Sequence, residues 1–354
     1  MSKRIVLTGG GTAGHVTPNL ALLPTLRKED FEVFYIGSID GIEKKLVENA
    51  GIEYFGISTG KLRRYFDLKN FSDPFRVIKG YFQAKKILKN LKPDVLFSKG
   101  GFVSVPVIRA AASLKIPCII HESDMTPGLA NKLCIPVAKK VCCNFPETFD
   151  LIPPEKAVLT GSPIRQELLK GDRDKAKEFV GFEEEKPVIL VMGGSQGSAA
   201  VNGAIRDSLN ELLKKYNIIH LTGKDKMDNL MLTIPGYKQY EYITDELPDL
   251  LDLADIVVSR AGANAICELL ALRKPNLLIP LPSASSRGDQ ILNAQSYEEQ
   301  GFSMVLSEED MTSKLLTEKI NYLFDHREEF KKTMSDSNQK DAISAIINLI
   351  LEEI

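Results

Sequence analysis

A glycine-rich stretch near the start of the chain, Gly9-Gly10-Gly11-Thr12-Ala13-Gly14-His15-Val16-Thr17-Pro18, narrows what the polypeptide can become. The apolar run Ile5–Leu7 precedes it, and a helical pattern is predicted to begin near Pro18. Strand, glycine turn and helix start, in that order, form the corner where α/β proteins hold a phosphate or a sugar. A second turn with the same flanks, Gly193-Gly194-Ser195-Gln196-Gly197-Ser198, lies in the other half of the chain. Two such corners predict two α/β domains facing each other over a cleft.

The length of 354 residues suits two domains rather than one core. No apolar run reaches the ~18 residues of a membrane span. The chain runs from Met1 almost directly into a strand, so no signal peptide is expected. Five cysteines, Cys118, Cys134, Cys142, Cys143 and Cys267, lack C-x-x-C spacing and sit in apolar segments. They read as reduced core residues rather than zinc ligands. Net charge is -2, but residues 1–161 hold 23 Lys and Arg against 15 Asp and Glu. A basic first half in a near-neutral chain points to an anionic partner for that half, or simply to solvated surface charge. Nothing in the pattern calls for nucleic acid.

Buried parallel strands are predicted at Ile5–Leu7, Val33–Ile36, Val95–Phe97, Cys118–Ile120, Val141–Cys143 and Ala157–Leu159. Helices are predicted between them at Pro18–Arg27, Glu43–Ala50, Pro74–Leu91, Val105–Leu114 and Gly128–Ala138. Gly161-Ser162-Pro163 is a plausible hinge. Beyond it the alternation repeats, with strands at Val188–Met192, Ile218–Leu221, Tyr240–Ile243, Ile256–Ser259 and Leu277–Ile279. The matching helices are Ala200–Lys214, Ala263–Leu272 and Gln290–Gln300, and the last forty residues close with a stripe of Ile343, Ile346, Ile347 and Ile350. Alternation throughout implies two doubly wound parallel sheets. The domains are expected at 1–161 and 162–334, with a helix at about 335–354 packing back on the first.

Gly9, Gly11 and Gly14 match G-x-G-x-x-G, but a dinucleotide site also needs an acid at the end of the second strand. That strand ends Tyr35-Ile36-Gly37-Ser38, and His15-Val16-Thr17 delay the helix, so nicotinamide and flavin are not expected. A better-defined site is Ser259-Arg260-Ala261-Gly262-Ala263-Asn264-Ala265-Ile266-Cys267-Glu268. Amides of Ala263, Asn264 and Ala265 at a helix start suit a metal-free diphosphate. Glu268 could take vicinal ribose hydroxyls, or serve as an acid complementing the helix dipole. Gln290 and Asn293 share a helix face and could bind sugar hydroxyls. Asp172-Arg173-Asp174 reads as a helix cap rather than a metal motif. Neither a metal nor a cofactor is expected.

Together these motifs resemble the MurG family of N-acetylglucosaminyltransferases in peptidoglycan synthesis. The resemblance runs through Gly9–Pro18, Ser98-Lys99-Gly100-Gly101-Phe102, His121-Glu122-Ser123-Asp124 with Pro127–Lys132, Gly161–Arg165, Gly193–Gly197, Arg260–Glu268 and Asp289–Ala294. It covers nearly the whole chain in order. It implies a GT-B fold of two Rossmann-like domains, and inverting, metal-independent transfer from UDP-GlcNAc to the 4-hydroxyl of undecaprenyl-diphosphate-linked MurNAc-pentapeptide. The resemblance gives Ser195 and the Ala263, Asn264 and Ala265 amides to the donor's diphosphate, Gln196 to the UDP-GlcNAc site at large, and Arg165 and Ile243 to its nucleotide side. Glu268 falls to ribose, and Gln290 and Asn293 to GlcNAc. Thr12, Ala13 and Gly14 would close on the donor, and His15 would approach the acceptor. Asp124 stands where the family often has asparagine, so the base is left between His15 and Asp124. Ala13 replaces a glycine and Asp289 a glutamine. A UDP-sugar epimerase of the same fold, or a non-catalytic nucleotide-sugar binder, would share the donor residues.

The Pro74–Leu91 helix carries two stripes at ~100° per residue. Val77, Tyr81, Ala84, Leu88 and Leu91 are assigned to the core. Phe75, Ile78 and Phe82 lie nearly opposite, flanked by Lys79, Lys85, Lys86 and Lys89. That pattern suits shallow insertion into an anionic membrane surface, placing the protein peripherally on the cytoplasmic face of the cell membrane. The alternative is that the second stripe packs under residues 60–71.

Overall fold

The computed structural model describes residues 3–60, 69–194, 197–283, 288–337 and 341–354, the side chains of 69–74 excepted. The chain divides into two compact units, residues 1–165 with 341–354, and residues 166–340.

In the first unit, β1 (Lys3–Thr8), β2 (Phe31–Ser38), β3 (Glu53–Ile57), β4 (Val95–Ser98), β5 (Cys118–Glu122), β6 (Lys140–Cys143) and β7 (Ala157–Leu159) form one sheet. Its order is β3-β2-β1-β4-β5-β6-β7, and every pair is parallel. Helices α1 (Ala13–Lys28), α2 (Ile42–Asn49), α3 (Lys69–Leu91), α4 (Ser104–Ser113) and α5 (Leu129–Cys134) alternate with the strands. Period-two side-chain alternation splits the buried residues between the two faces. Ile5 and Leu7 join Leu22, Leu26 and the C-terminal helix Ala342–Glu352, whose Ile343, Ile346, Ile347 and Ile350 are buried. Val6 faces the other way, with Ala84 and Leu88 of α3 and Val107 and Ile108 of α4.

In the second unit the order is β10-β9-β8-β11-β12-β13, again all parallel. The strands are β8 (Val188–Met192), β9 (Asn217–Leu221), β10 (Tyr237–Tyr240), β11 (Ile256–Ser259), β12 (Asn276–Leu278) and β13 (Ser303–Val305). The helices are α6 (Arg173–Val180), α7 (Ala199–Leu212), α8 (Leu247–Leu253), α9 (Ala263–Ala271), α10 (Asp289–Glu299), α11 (Ser313–Asp325) and α12 (Arg327–Ser335). Ile189, Val191, Ile256 and Val258 pack with α7 and α11 through Ile205, Leu209, Leu316 and Ile320.

Both sheets reverse direction of growth beside their first strand, between β1 and β4 and between β8 and β11. At such a switch point the two outgoing loops diverge and leave room for a ligand. The glycine turns and the Lys99 and Arg260 segments occupy these four loops.

Three expectations need correcting. Helix α1 begins at Ala13, not at Pro18, and both Pro18 and Pro24 lie inside it. Proline favours the first helical position because it lacks an N–H, yet here that loss falls in the second turn. Strands β3 and β13 were not anticipated, β3 because Glu53 and Gly56 interrupt its apolar pattern; both lie at a sheet edge, where such residues are tolerated. Strand β10 lies three residues earlier than Tyr240–Ile243, because Tyr237 and Gln239 are the side chains it buries. Asp172 does cap α6, its carboxylate accepting from Asp174 N at 3.1 Å and Lys175 N at 3.2 Å.

Candidate active site

In the first unit, the turn after β1 is held from beneath. Tyr35 Oη donates to Gly9 O at 2.8 Å, and Asn19 Nδ2 donates to Thr8 O at 3.0 Å. Glu43, fully buried, accepts from Gly11 N at 3.2 Å and from Ser38 N at 2.9 Å. This corrects both reasons given against a dinucleotide. The helix is not delayed, and a carboxylate does stand at the end of β2. It is turned onto the protein's own amides and does not face outward toward a ribose. Thr12 occupies the N-cap of α1, and its Oγ1 lies 3.0 Å from His15 Nδ1. Ala13, Gly14 and His15 form the first helical turn, so His15 is not a cap at Pro18.

The adjoining turn, after β4, passes through Gly100 and Gly101 with φ of 92° and 87°. A Cβ on Gly101 would run into Gly10 O, so only glycine lets the two turns abut. Beneath them, the buried Lys99 ammonium donates to His121 Nδ1 at 2.9 Å, Ser123 Oγ at 2.7 Å and Ser162 Oγ at 2.9 Å. His121 Nε2 faces Gly161 O at 2.9 Å and carries the ring's proton. Burial and the adjacent Lys99 charge hold this imidazole well below the usual histidine range, so it is neutral.

Glu122 organises the loop that carries Asp124. Oε1 accepts from Ser123 N at 2.9 Å and Asp124 N at 3.1 Å; Oε2 accepts from Gly128 N at 2.9 Å and Asn131 Nδ2 at 2.8 Å. Burial raises its pKa, with the Asp124 charge adding to the rise and the donated hydrogen bonds opposing it. Asp124 itself is half-buried beside this carboxylate.

In the second unit, Gly193 and Gly194 follow β8, while Ser195 and Gln196 lie outside the described residues. Ser198 caps α7 through Val201 N at 3.3 Å. Its hydroxyl also accepts from Arg260 Nη2 at 2.6 Å. Arg260, nearly buried, donates in addition to Ile279 O at 3.0 Å and Pro280 O at 3.2 Å and pairs with Glu308. One guanidinium thus joins the exits of β11 and β12 to the start of α7.

Helix α9 begins at Ala263, and its first ladder bond is Ile266 N to Gly262 O at 3.1 Å. The amides of Ala263, Asn264 and Ala265 therefore precede that ladder, where an anion is stabilised. Glu268 is the sixth residue of α9, past the first turn in which a carboxylate gains most from the helix dipole. Gln290 Oε1 accepts from Leu281 N at 3.1 Å, and the fully buried Asn293 lies with Nδ2 3.5 Å from Ala261 O. Ile243 is buried just beyond β10, and Arg165, with a buried Nε, closes the first unit. Lys99, Glu43 and Glu308 received no role from the sequence. A lysine between an apolar strand and two glycines was the one visible signal for the first.

On α3, Phe75, Ile78 and Phe82 are 74%, 54% and 63% exposed, while residues 61–68, under which the alternative would pack them, lie outside the described residues. Lys79, Lys86 and Lys89 are exposed with them, as is Arg76. Lys85 departs from the expected ring of outward lysines: it is half-buried, with Nζ 3.4 Å from Tyr81 Oη.

Residues 5–143 match the glycosyltransferase family 28 N-terminal domain, and residues 188–350 match the family's C-terminal domain. Two doubly wound parallel sheets carrying these domains define a glycosyltransferase of the GT-B class. A UDP-N-acetylglucosamine--N-acetylmuramyl-(pentapeptide) pyrophosphoryl-undecaprenol N-acetylglucosamine transferase of Lachnoclostridium phytofermentans is 61% identical over 350 residues, 99% of each chain. The crystal structure of Acinetobacter baumannii MurG superposes with TM-score 0.79 at 27% identity, covering 99% of each chain. The chain belongs to the MurG family. A UDP-GlcNAc 2-epimerase from Neisseria meningitidis, at 13% identity and TM-score 0.68 over 99% of this chain and 100% of its own, shares the fold alone.

Proposed function

We propose that this protein transfers GlcNAc from UDP-GlcNAc to the 4-hydroxyl of MurNAc in undecaprenyl-diphosphate-linked MurNAc-pentapeptide, with inversion and without a metal. The observation that carries this reading is the 61% identity, over 99% of both chains, to a transferase named for that donor and acceptor. An epimerase has only fold-level likeness in its favour.

The second unit, 166–340, is the donor half in this reading, and the first unit the acceptor half. Amides of Ala263, Asn264 and Ala265, with Ser195, receive the diphosphate, and Gln196 contacts the UDP-GlcNAc donor. Such preorganised donors stabilise the departing UDP without a cation. Glu268 binds ribose, Arg165 and Ile243 flank the nucleotide, and Gln290 and Asn293 hold the sugar, the last two being already fixed by protein contacts. Thr12, Ala13 and Gly14 meet the reacting sugar. The attacking hydroxyl needs a base, and the imidazole of His15 is assigned that role. Asp124 is the second candidate.

The acceptor's lipid reaches the first unit at a membrane surface. The outward Phe75, Ile78 and Phe82, with Lys79, Lys86 and Lys89 beside them, support docking of α3 on anionic headgroups at the cytoplasmic face. Among the described residues no helix is long and apolar enough to cross a membrane. The test is UDP release with and without lipid-linked acceptor. Acceptor-dependent release with GlcNAc in the lipid product supports transfer. A new UDP-sugar formed without acceptor would mean epimerisation, and neither product would mean a binder.

A further inference from the structure

The first glycine turn contains an anion of its own. Glu43 stands in the first turn of α2 and is fully buried. Its Oε1 accepts from Ser38 N and Ser38 Oγ, and its Oε2 from Gly11 N. A Cβ on Gly10 or on Gly41 would strike this carboxylate, so both glycines serve its close approach. Gly9 O is meanwhile held by Tyr35 Oη. The turn is therefore pinned at residues 9 and 11, and the chain leaves it directly into Thr12 and the first turn of α1.

We propose that Glu43 is a positioning residue for transfer: its carboxylate fixes Gly11 and thereby the entry of α1, which sets where Thr12 and His15 stand. The inference rests on the transferase reading above, in which His15 meets the acceptor. A carboxylate is the group this position requires. It accepts from two backbone N–H donors and a hydroxyl. An amide of the same shape would turn an N–H toward either Gly11 N–H or Ser38 N–H and push the turn away. Gly11 N–H is also thereby taken out of reach of a ligand anion, which separates this turn from the second unit's diphosphate-binding helix start.

The experiment compares wild type, Glu43→Gln and Glu43→Ala in the acceptor-dependent assay, with donor affinity and thermal unfolding measured on each. Displacing a reacting group by ~1 Å lowers rates by about 10²-fold. Glu43→Gln is expected to lose kcat on that order and to melt at a lower temperature, because a buried N–H is left without an acceptor, with KM for UDP-GlcNAc close to wild type. In Glu43→Ala, added formate or acetate should enter the vacated space, accept from Gly11 N and Ser38 N, and restore kcat, while leaving wild type unaffected. Wild-type kcat in Glu43→Gln overturns the proposal. So does a loss shared equally by kcat, donor affinity and melting temperature that neither anion relieves. A wild type that transfers nothing to the acceptor would instead overturn the transferase reading.

Discussion

Lowering the pH from 7 to 5 should destabilise each unit by about 2 kcal/mol through a single histidine. His121 in the first unit and His220 in the second are both fully buried. His121 lies between Lys99 Nζ on one nitrogen and Gly161 O on the other. Protonation at Nδ1 would set an N–H against an ammonium. His220 has Nδ1 2.8 Å from Tyr237 Oη and Nε2 3.0 Å from Asn202 Oδ1. Burial, then the Arg206 charge, lowers its pKa to about 3. Both rings stay neutral in the folded protein, while an unfolded histidine takes a proton near pH ~6.5. A depressed folded pKa means stability that is present above the unfolded value and lost as pH falls toward the folded one. An imidazole that titrates only when unfolded contributes a loss of about 2 kcal/mol between pH 7 and 5. The assay is urea unfolding followed by amide exchange in β5 and β9, which reports the units separately. His220→Gln keeps a donor toward Asn202 and should flatten the pH dependence in β9 while leaving β5 unchanged. Carboxylate titration is common to both proteins and cancels in the difference. An equal loss in β9 for variant and wild type would refute the reasoning.

His15→Ala should lower kcat by ~10²-fold or more if the imidazole is the base, with UDP-GlcNAc affinity retained; stopped assays with saturating acceptor read this, and a nearly intact kcat shifts the role to Asp124. Glu268→Ala should weaken UDP-GlcNAc by roughly 1–3 kcal/mol in calorimetry, and unchanged affinity would remove the ribose assignment. Activity should persist in EDTA, and recovery only on adding Mg²⁺ or Mn²⁺ would contradict diphosphate binding by amides. Phe75→Ser with Phe82→Ser should reduce binding to anionic liposomes and turnover of long-chain acceptor, sparing a short-chain soluble acceptor; equal loss on both acceptors would mean that docking lies elsewhere.

Much of the architecture was legible because parallel strands buried on both faces read as unbroken apolar runs, and Val188–Met192 and Ile256–Ser259 are such runs, found where predicted. Edge strand β7 was found where predicted, but β3 and β13 were not legible, and β3 keeps Glu53 and Gly56 at no cost to a core. Proline misled at α1, where tertiary packing of Val16, Leu22 and Leu26 carries the helix through Pro18 and Pro24. The glycine turns and the Ala263 helix start announced themselves by local spacing, which one chain segment is enough to encode.

Side-chain direction was a different matter. Glu43 and Glu122 look like surface acids in the sequence, and each instead gathers backbone N–H groups beneath a loop. Lys99 gained its partners from residues 22, 24 and 63 positions away, and Arg260 drew Ser198 and Glu308 from 62 and 48 positions away. The sequence alone determined that there would be two doubly wound sheets with glycine turns at their switch points, because period and turn chemistry are local. Only the tertiary structure decided which charges are buried and what they hold, because a buried charge is stabilised by hydrogen bonds that distant strands bring to it.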